Sequence, residues 1–168
     1  MGLNDAALAL TISIAAFTDF REHRIYNKLL GPAFVMAIAL QIYFKGWIGL
    51  RESLFGAFIG FLILLIPYFL GGIGAGDVKL LAVIGAFGGV HFVITSFLYG
   101  AIVGGIISVI LLARRGALYS TLHRFLLFYL LRIKIDPQNK QADEAQKEKF
   151  PYGIAITIGT LLAMLLRM

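Results

Sequence analysis

The sequence predicts an all-α, polytopic membrane protein with about six transmembrane helices and one interfacial amphipathic helix. Two observations predict this class. Hydrophobic residues make up 60% of the 168 residues and charged residues only 14%, whereas a soluble domain usually carries about a quarter charged residues. The charged residues are also gathered into clusters between apolar stretches. A chain this short cannot bury so much apolar surface within itself, so lipid must cover the remainder.

Six apolar stretches follow one another along the chain, and they cover residues 3–18, 29–44, 53–70, 78–87, 91–113 and 154–166. Lys45, Arg51 and Glu52 mark a short loop between the second and the third. Gly88 and Gly89 divide the fourth from the fifth, since the run over 78–113 is too long for one span.

The segment before the fourth stretch, residues 71–76, contains four glycines. Glycine disfavours a helix interior, so this segment is not expected to stay helical. Because the fourth stretch is short, we expect the glycine segment to dip into the membrane to meet it. Non-helical backbone at that depth must be buried in protein or line a wet cavity.

Residues 116–149 are expected to form a cytoplasmic or interfacial part of a single integral membrane domain, 1–168. Residues 116–135 mix apolar side chains with histidine, arginine and lysine, a pattern typical of an amphipathic helix lying at the membrane surface. Residues 136–149 are polar and charged, which predicts a solvated loop.

The distribution of Lys and Arg predicts the orientation. The first, third and fifth loops hold twelve of the fifteen, and the other side holds Lys45, Arg51 and Arg167. Since cytoplasmic loops are enriched in Lys and Arg, the odd loops are expected in the cytoplasm and both termini outside. The protein is thus expected to be a multi-pass protein of the inner or plasma membrane.

Composition also excludes several kinds of site. The chain has no cysteine, which excludes disulfides, thiolate zinc sites, iron–sulfur clusters and a cysteine nucleophile. It has no paired-histidine spacing, so we expect no metal and no cofactor. The net charge of +6 is explained by the cytoplasmic loops and does not indicate a nucleic-acid partner.

Two of the nine acidic residues, Asp19 and Asp77, lie at membrane edges on the expected cytoplasmic side. Ionisable groups at membrane depth are costly and usually functional. Two carboxyl groups brought close together cannot both ionise cheaply, so one keeps its proton. The pair could then act as general base and general acid, as in aspartic proteases. This makes Asp19 and Asp77 the candidate catalytic residues.

Structural roles are also open for both aspartates. Asp19 could cap the first cytoplasmic loop or pair with Arg21, Arg24 or Lys28. Asp77 could be the N-cap of the fourth helix, a favoured position for aspartate. Neither role accounts for the glycine-rich segment directly before Asp77, which lets backbone approach closely.

Two other functional classes compete with an enzyme. A transporter or proton-relay subunit would also place polar residues in broken membrane helices. It would be expected to carry further charged residues in the middle of the spans, and we find none there. A scaffold subunit of a secretion assembly would tolerate replacement of both aspartates.

Three motifs resemble those of a known family. Residues 74–80 read GAGDVKL and contain the GxGD motif of the intramembrane-type aspartyl peptidases. Residues 18–27 read TDFREHRIYN and resemble the first-aspartate motif of the type IV prepilin peptidases, with Tyr26 in place of the usual proline. Residues 150–155 read FPYGIA and resemble the segment before that family's last helix.

The chain thus resembles the type IV prepilin peptidases, and most of all the small peptidases of Flp/Tad-type pilus systems; archaeal preflagellin peptidases are similar. The resemblance implies a catalytic pair formed by Asp19 and Asp77. It also implies cleavage of a pilin-like precursor that carries a class III signal peptide, on the cytoplasmic side. Membrane lipid would surround the enzyme, and the oligomeric state stays open.

Larger relatives in this family have an extra N-terminal region, often with Cys-x-x-Cys motifs, and N-methylate their product. This sequence begins with a span and has no cysteine, so we do not expect N-methyltransferase activity. Six further residues are secondary candidates for substrate binding or for shaping the site: Gly74, Gly76, Asn27, Lys79, Arg21 and Arg24. The two glycines are expected to let a substrate strand pass close to Asp77.

Overall fold

A computed structural model of the chain describes residues 2–22, 24–114 and 152–166. The described residues form four α-helices and no strand: α1 (Leu3–Glu22), α2 (Asn27–Phe69), α3 (Ala75–Arg114) and α4 (Tyr152–Leu166). The all-α prediction is therefore confirmed. The predicted amphipathic helix at 116–135 and the solvated loop at 136–149 lie outside the described residues.

Helices α1, α2 and α3 are each long and apolar enough to cross a membrane, and α4 is a shorter apolar helix. Large apolar side chains are exposed on them, including Tyr43, Trp47 and Phe58, and Trp47 is 74% exposed. Water would not favour such a surface, so it is a surface for lipid. The chain is a membrane protein, and the predicted number of six spans stays a prediction.

Helix α2 has 43 residues, which would measure about 64 Å if it were straight, against a hydrocarbon core of about 30 Å. Its backbone breaks at Gly46 (φ 58°, ψ −137°), in a left-handed region that favours glycine. Lys45 Nζ reaches across the break to Glu52 Oε2 at 2.5 Å. The loop expected over residues 45–52 is therefore a sharp turn at one glycine, with helix on both sides.

Helix α3 breaks at Gly89 (φ 79°, ψ −176°), within the predicted division at Gly88 and Gly89. The expectation for the glycine segment was partly wrong. Between α2 and α3, only residues 70–74 lie outside helices, and α3 already begins at Ala75. Gly76 and Asp77 are therefore helical, since one glycine among helix-forming neighbours costs too little to stop a helix that packs well.

The chain up to Gly104 and helix α4 form one compact unit, the main unit. Close backbone contacts hold its helices together. A Cβ built on Gly85 would lie 2.1 Å from the carbonyl oxygen of Gly56, and one on Gly60 would lie 2.5 Å from that of Leu81. The second half of α2 thus packs on the first half of α3 without side chains between them. Small residues at such an interface let helix backbones approach closely within a membrane. From Gly105 onwards, α3 belongs to a second unit.

Candidate active site

Asp19 lies in the last turn of α1, because that helix continues beyond the predicted end at residue 18 to Glu22. Its side chain is only 7% exposed. The neighbouring surface belongs to the start of α4, where a Cβ built on Gly153 would lie 2.6 Å from Asp19 Oδ2. A carboxyl group at this place is costly for α1, since the C-terminal end of a helix disfavours negative charge.

Asp77 is the third residue of α3 and is 9% exposed. Its Oδ2 accepts a hydrogen bond from the backbone N–H of Gly74 at 3.2 Å. The N–H of Asp77 in turn donates to the carbonyl oxygen of Gly74 at 3.1 Å. Asp77 is thus the N3 residue, whose side chain bonds back to the N–H of the N-cap as in a capping box. The interpretation of Asp77 as the N-cap is therefore wrong. Gly74 holds that position.

The remaining carboxyl oxygen of Asp77, Oδ1, is buried and has no hydrogen-bond partner in the described part of the chain. A buried polar atom without a partner is uncommon and calls for an explanation. An oxygen kept for substrate or a reacting water provides one.

The structure brings the two aspartates into one electrostatic environment, because the charge of Asp19 acts on Asp77. They come from the end of α1 and the start of α3. The loop between α1 and α2 joins these ends: a Cβ built on Gly76 would lie 3.0 Å from the Cβ of Ile25. Two buried carboxyl groups that interact are a costly arrangement, which a purely structural site would not need.

The secondary candidate glycines differ in their surroundings. Gly76 faces Ile25, so the close approach that it permits is that of the chain's own loop. Gly74 is exposed, and a Cβ built there would lie 3.2 Å from Asp77 Oδ2. A role of either glycine in passing a substrate strand stays a prediction, and Gly74 is the one with an open side.

Asn27 and Lys79 are brought together. Lys79 Nζ donates to Asn27 Oδ1 at 2.9 Å, on an exposed surface. The bond ties the first residue of α2 to the second turn of α3, two residues after Asp77. Both residues border an apolar cavity of about 260 Å³, whose other lining residues are Leu30, Gly31, Phe34, Phe61, Ala82 and Val83.

Arg21 and Arg24 are both exposed. The guanidinium group of Arg21 lies over the ring of Phe17, 5.6 Å from its centre. Arg24 acts electrostatically on Tyr26, whose phenol donates a hydrogen bond to Glu22. That hydrogen bond, and then the charge of Glu22, raise the pKa of Tyr26. The bond closes the loop at the position where the family usually has proline.

Gly153 was not among the candidate site residues, although the structure places it against Asp19. The FPYGIA segment was noted only for its resemblance. A glycine near the start of an apolar helix was the available signal, but it does not say which residue it faces. For metals, the described residues contain no group of three or more His, Cys, Asp or Glu side chains that could hold an ion.

Comparison with known proteins gives consistent matches. The sequence profile of the type IV leader peptidase family matches residues 6–109, which include both aspartates. The prepilin leader peptidase/N-methyltransferase of Pseudomonas putida is 31% identical over 117 residues, which are 64% of this chain and 40% of that protein. The protein of the same name from Pseudomonas aeruginosa is 38% identical over 120 residues, 67% of this chain and 41% of that protein.

This chain therefore spans about two fifths of the length of the curated relatives it matches. No solved structure matches it. The family profile covers more than half of the chain and contains the ends of α1 and α3 that carry the two buried carboxyl groups. The chain belongs to the type IV leader peptidase family.

Proposed function

We propose that this protein is a membrane-embedded aspartyl endopeptidase that removes the leader peptide of pilin-like precursors. The observation that carries the proposal is the pair of buried, interacting carboxyl groups of Asp19 and Asp77. The names of the Pseudomonas relatives supply the substrate class.

The proposed reaction is direct hydrolysis by water. The ionised aspartate takes a proton from a water molecule, whose oxygen attacks the carbonyl carbon of the scissile peptide bond. The protonated aspartate donates a hydrogen bond to the carbonyl oxygen and stabilises the negative charge that develops there. The tetrahedral intermediate then collapses, the C–N bond breaks, and the leaving amine takes up the proton that the dyad removed from water. The dyad is thereby returned to its starting state with one proton.

The two aspartates act as one titrating unit, so the base and the acid are not assigned to single residues. Asp77 Oδ1 is suited to contact the water or the scissile carbonyl, since no described residue occupies its hydrogen-bonding capacity. Asp77 Oδ2 is held by Gly74, which fixes the direction of Oδ1.

We place the reaction at the cytoplasmic boundary of the inner or plasma membrane. The support is the distribution of Lys and Arg, which favours the cytoplasm for the loops after α1 and before α3. A precursor whose leader lies in the cytoplasm and whose apolar segment lies in the membrane would present its cleavage site at this depth.

The first test replaces each aspartate by the isosteric amide, Asp19→Asn and Asp77→Asn, with cleavage of a purified pilin precursor followed by gel and mass spectrometry. We expect kcat to fall by about 10²–10⁴-fold in each, because an amide can neither accept nor supply the proton. The matched control is Asp5→Asn, the same change at the opposite end of α1. Cleavage near the wild-type rate by either folded dyad variant would contradict the proposal.

A further inference from the structure

We propose that Gly153 is a positioning residue for Asp19, and that the start of α4 forms a wall of the aspartate site, in addition to the end of α1 and the start of α3. This inference rests on the proposed function. It concerns a residue outside the part of the chain that the family profile matches, residues 6–109.

The contact between Gly153 and Asp19 leaves no room for a side chain. A Cβ built on Gly153 would lie 2.6 Å from Oδ2, 2.9 Å from Cγ and 3.2 Å from Cβ of Asp19. Two of these three distances are below 3.0 Å, so any other residue at 153 forces a movement. Either Asp19 rotates away or α4 moves as a body.

Other contacts fix α4 and decide which of the two moves. Thr157 Oγ1 donates to the carbonyl oxygen of Gly153 in its own helix at 2.7 Å, and it lies 3.3 Å from the carbonyl oxygen of Ile12 in α1. On the other side of the helix, a Cβ built on Gly159 would lie 2.2 Å from the backbone nitrogen of Gly100. Because α4 contacts the backbones of both α1 and α3, the side chain of Asp19 is the part that yields.

The wall has two physical effects on Asp19. It limits the rotation of a carboxyl group that has only two side-chain torsions, and so restricts the orientations open to that group. It also places the start of α4 beside that carboxyl group, where the helix dipole favours negative charge and offsets the unfavourable end of α1. A catalytic group held within 1 Å of its productive place can account for about 10²-fold in rate.

The kinetic test compares Gly153→Ala with Gly159→Ala in the full chain, purified in nanodiscs and acting on a pilin precursor. Both add one methyl group to α4 against close neighbours, but only the first touches an aspartate. For Gly153→Ala we expect kcat to fall about 10²-fold with KM within about twofold, since the positioning of a catalytic group is lost and not substrate binding. For Gly159→Ala we expect any loss to follow the folded fraction, measured by circular dichroism and elution volume.

A second test examines the contact without any activity. The chain has no cysteine, so a disulfide within one chain can form only between the two introduced cysteines. The Cβ separation of 3.2 Å is near the 3.5–4.5 Å typical of disulfides, so Asp19→Cys with Gly153→Cys should link under mild oxidation and resist a polyethylene-glycol maleimide until reduced. Ile25→Cys with Gly76→Cys is the positive control, with a Cβ separation of 3.0 Å. Asp19→Cys with Gly159→Cys should not link.

The outcomes separate this inference from the proposed function. If the wild type cleaves precursor but Gly153→Ala and Gly159→Ala lose kcat equally per folded molecule, the positioning role is overturned and the peptidase stands. Failure of the Asp19–Gly153 pair to link, while the control pair links, overturns it too. If the wild type cleaves no precursor, the proposed function falls and the positioning role with it, even where the disulfide forms.

Discussion

At the residue scale, each aspartate of the site lies against a glycine. Asp77 accepts the N–H of Gly74 at the start of its own helix, and Asp19 faces the start of α4 at Gly153. Burying a charged group without such partners is very costly. Gly74 therefore matters because it brings a peptide N–H within reach of Asp77, and Gly153 because it leaves room for the carboxyl group of Asp19.

A second set of buried polar residues lies at the break in α3. In an unbroken helix the carbonyl oxygen of Phe87 would accept the N–H four residues later. The non-helical backbone at Gly89 interrupts this pattern. Gln41 Nε2 at 2.5 Å and Asn4 Nδ2 at 2.9 Å donate to this oxygen instead. Two amide side chains from α2 and α1 thus stabilise the break.

Replacing Gln41 by leucine tests this function of the amides. Gln41 is 4% exposed, so we expect Gln41→Leu to lower the free energy of unfolding by about 1–3 kcal/mol, the usual cost of leaving a buried group unpaired. The measurement is denaturant unfolding in detergent. Asn4→Ala is the comparison and should cost less, because Asn4 is only half-buried. An unchanged stability for Gln41→Leu would show that the break does not depend on this bond.

At the element scale, the contact between α2 and α3 sets the position of Asp77. Gly56 and Gly60 of α2 lie against Gly85 and Leu81 of α3. The hydrophobic effect does not drive helices together within lipid, so close backbone packing must supply the attraction. The first half of α3, which begins with the GxGD motif, is held in place by this contact.

The substitution Gly85→Ala tests that contact. Its Cβ would lie 2.1 Å from the carbonyl oxygen of Gly56 and 3.0 Å from the backbone nitrogen of Ala57, which cannot yield as a side chain would. We expect a loss of about 1–3 kcal/mol in the free energy of unfolding, as for other overpacked sites. The matched control is Gly31→Ala, with nothing within 4 Å. Its stability should stay equal or rise, and equal effects in both variants would argue against the packing role.

At the scale of the whole molecule, the surface of the helices is made for lipid. Exposed aromatic and aliphatic side chains occur along α1, α2 and α3. The two halves of α2 meet at Gly46. The residues near this turn and the residues before α2 are therefore expected on opposite sides of the membrane.

Cysteine labelling tests this topology in intact cells. We expect a membrane-impermeant maleimide to label Arg51→Cys from outside and to label Lys28→Cys only after the cells are opened, because positive loops stay in the cytoplasm. Both side chains are exposed, and the native chain contributes no background. The reverse pattern would put the aspartates on the outer side and remove the support for cytoplasmic cleavage.

Much of the architecture could be predicted from properties read along the chain. Hydropathy indicated the class, and Gly88 and Gly89 indicated the break in α3. Predictions from local sequence failed where tertiary packing outweighed the free-energy cost of an unfavourable residue in a helix. Gly76 remains helical although glycine disfavours helices, and Asp77 lies one turn inside α3, with Gly74 at the N-cap.

The sequence by itself determined a membrane protein of apolar helices with two aspartates at helix ends, because hydropathy, glycine content and charge placement are local properties. Only the tertiary structure decided that Asp19 and Asp77 interact, that Gly153 lies against Asp19, and that Gln41 serves the break at Gly89. The physical reason is that these helices are apolar on every side. Their sequences do not fix the rotation of each helix about its axis, and that rotation determines which residues meet.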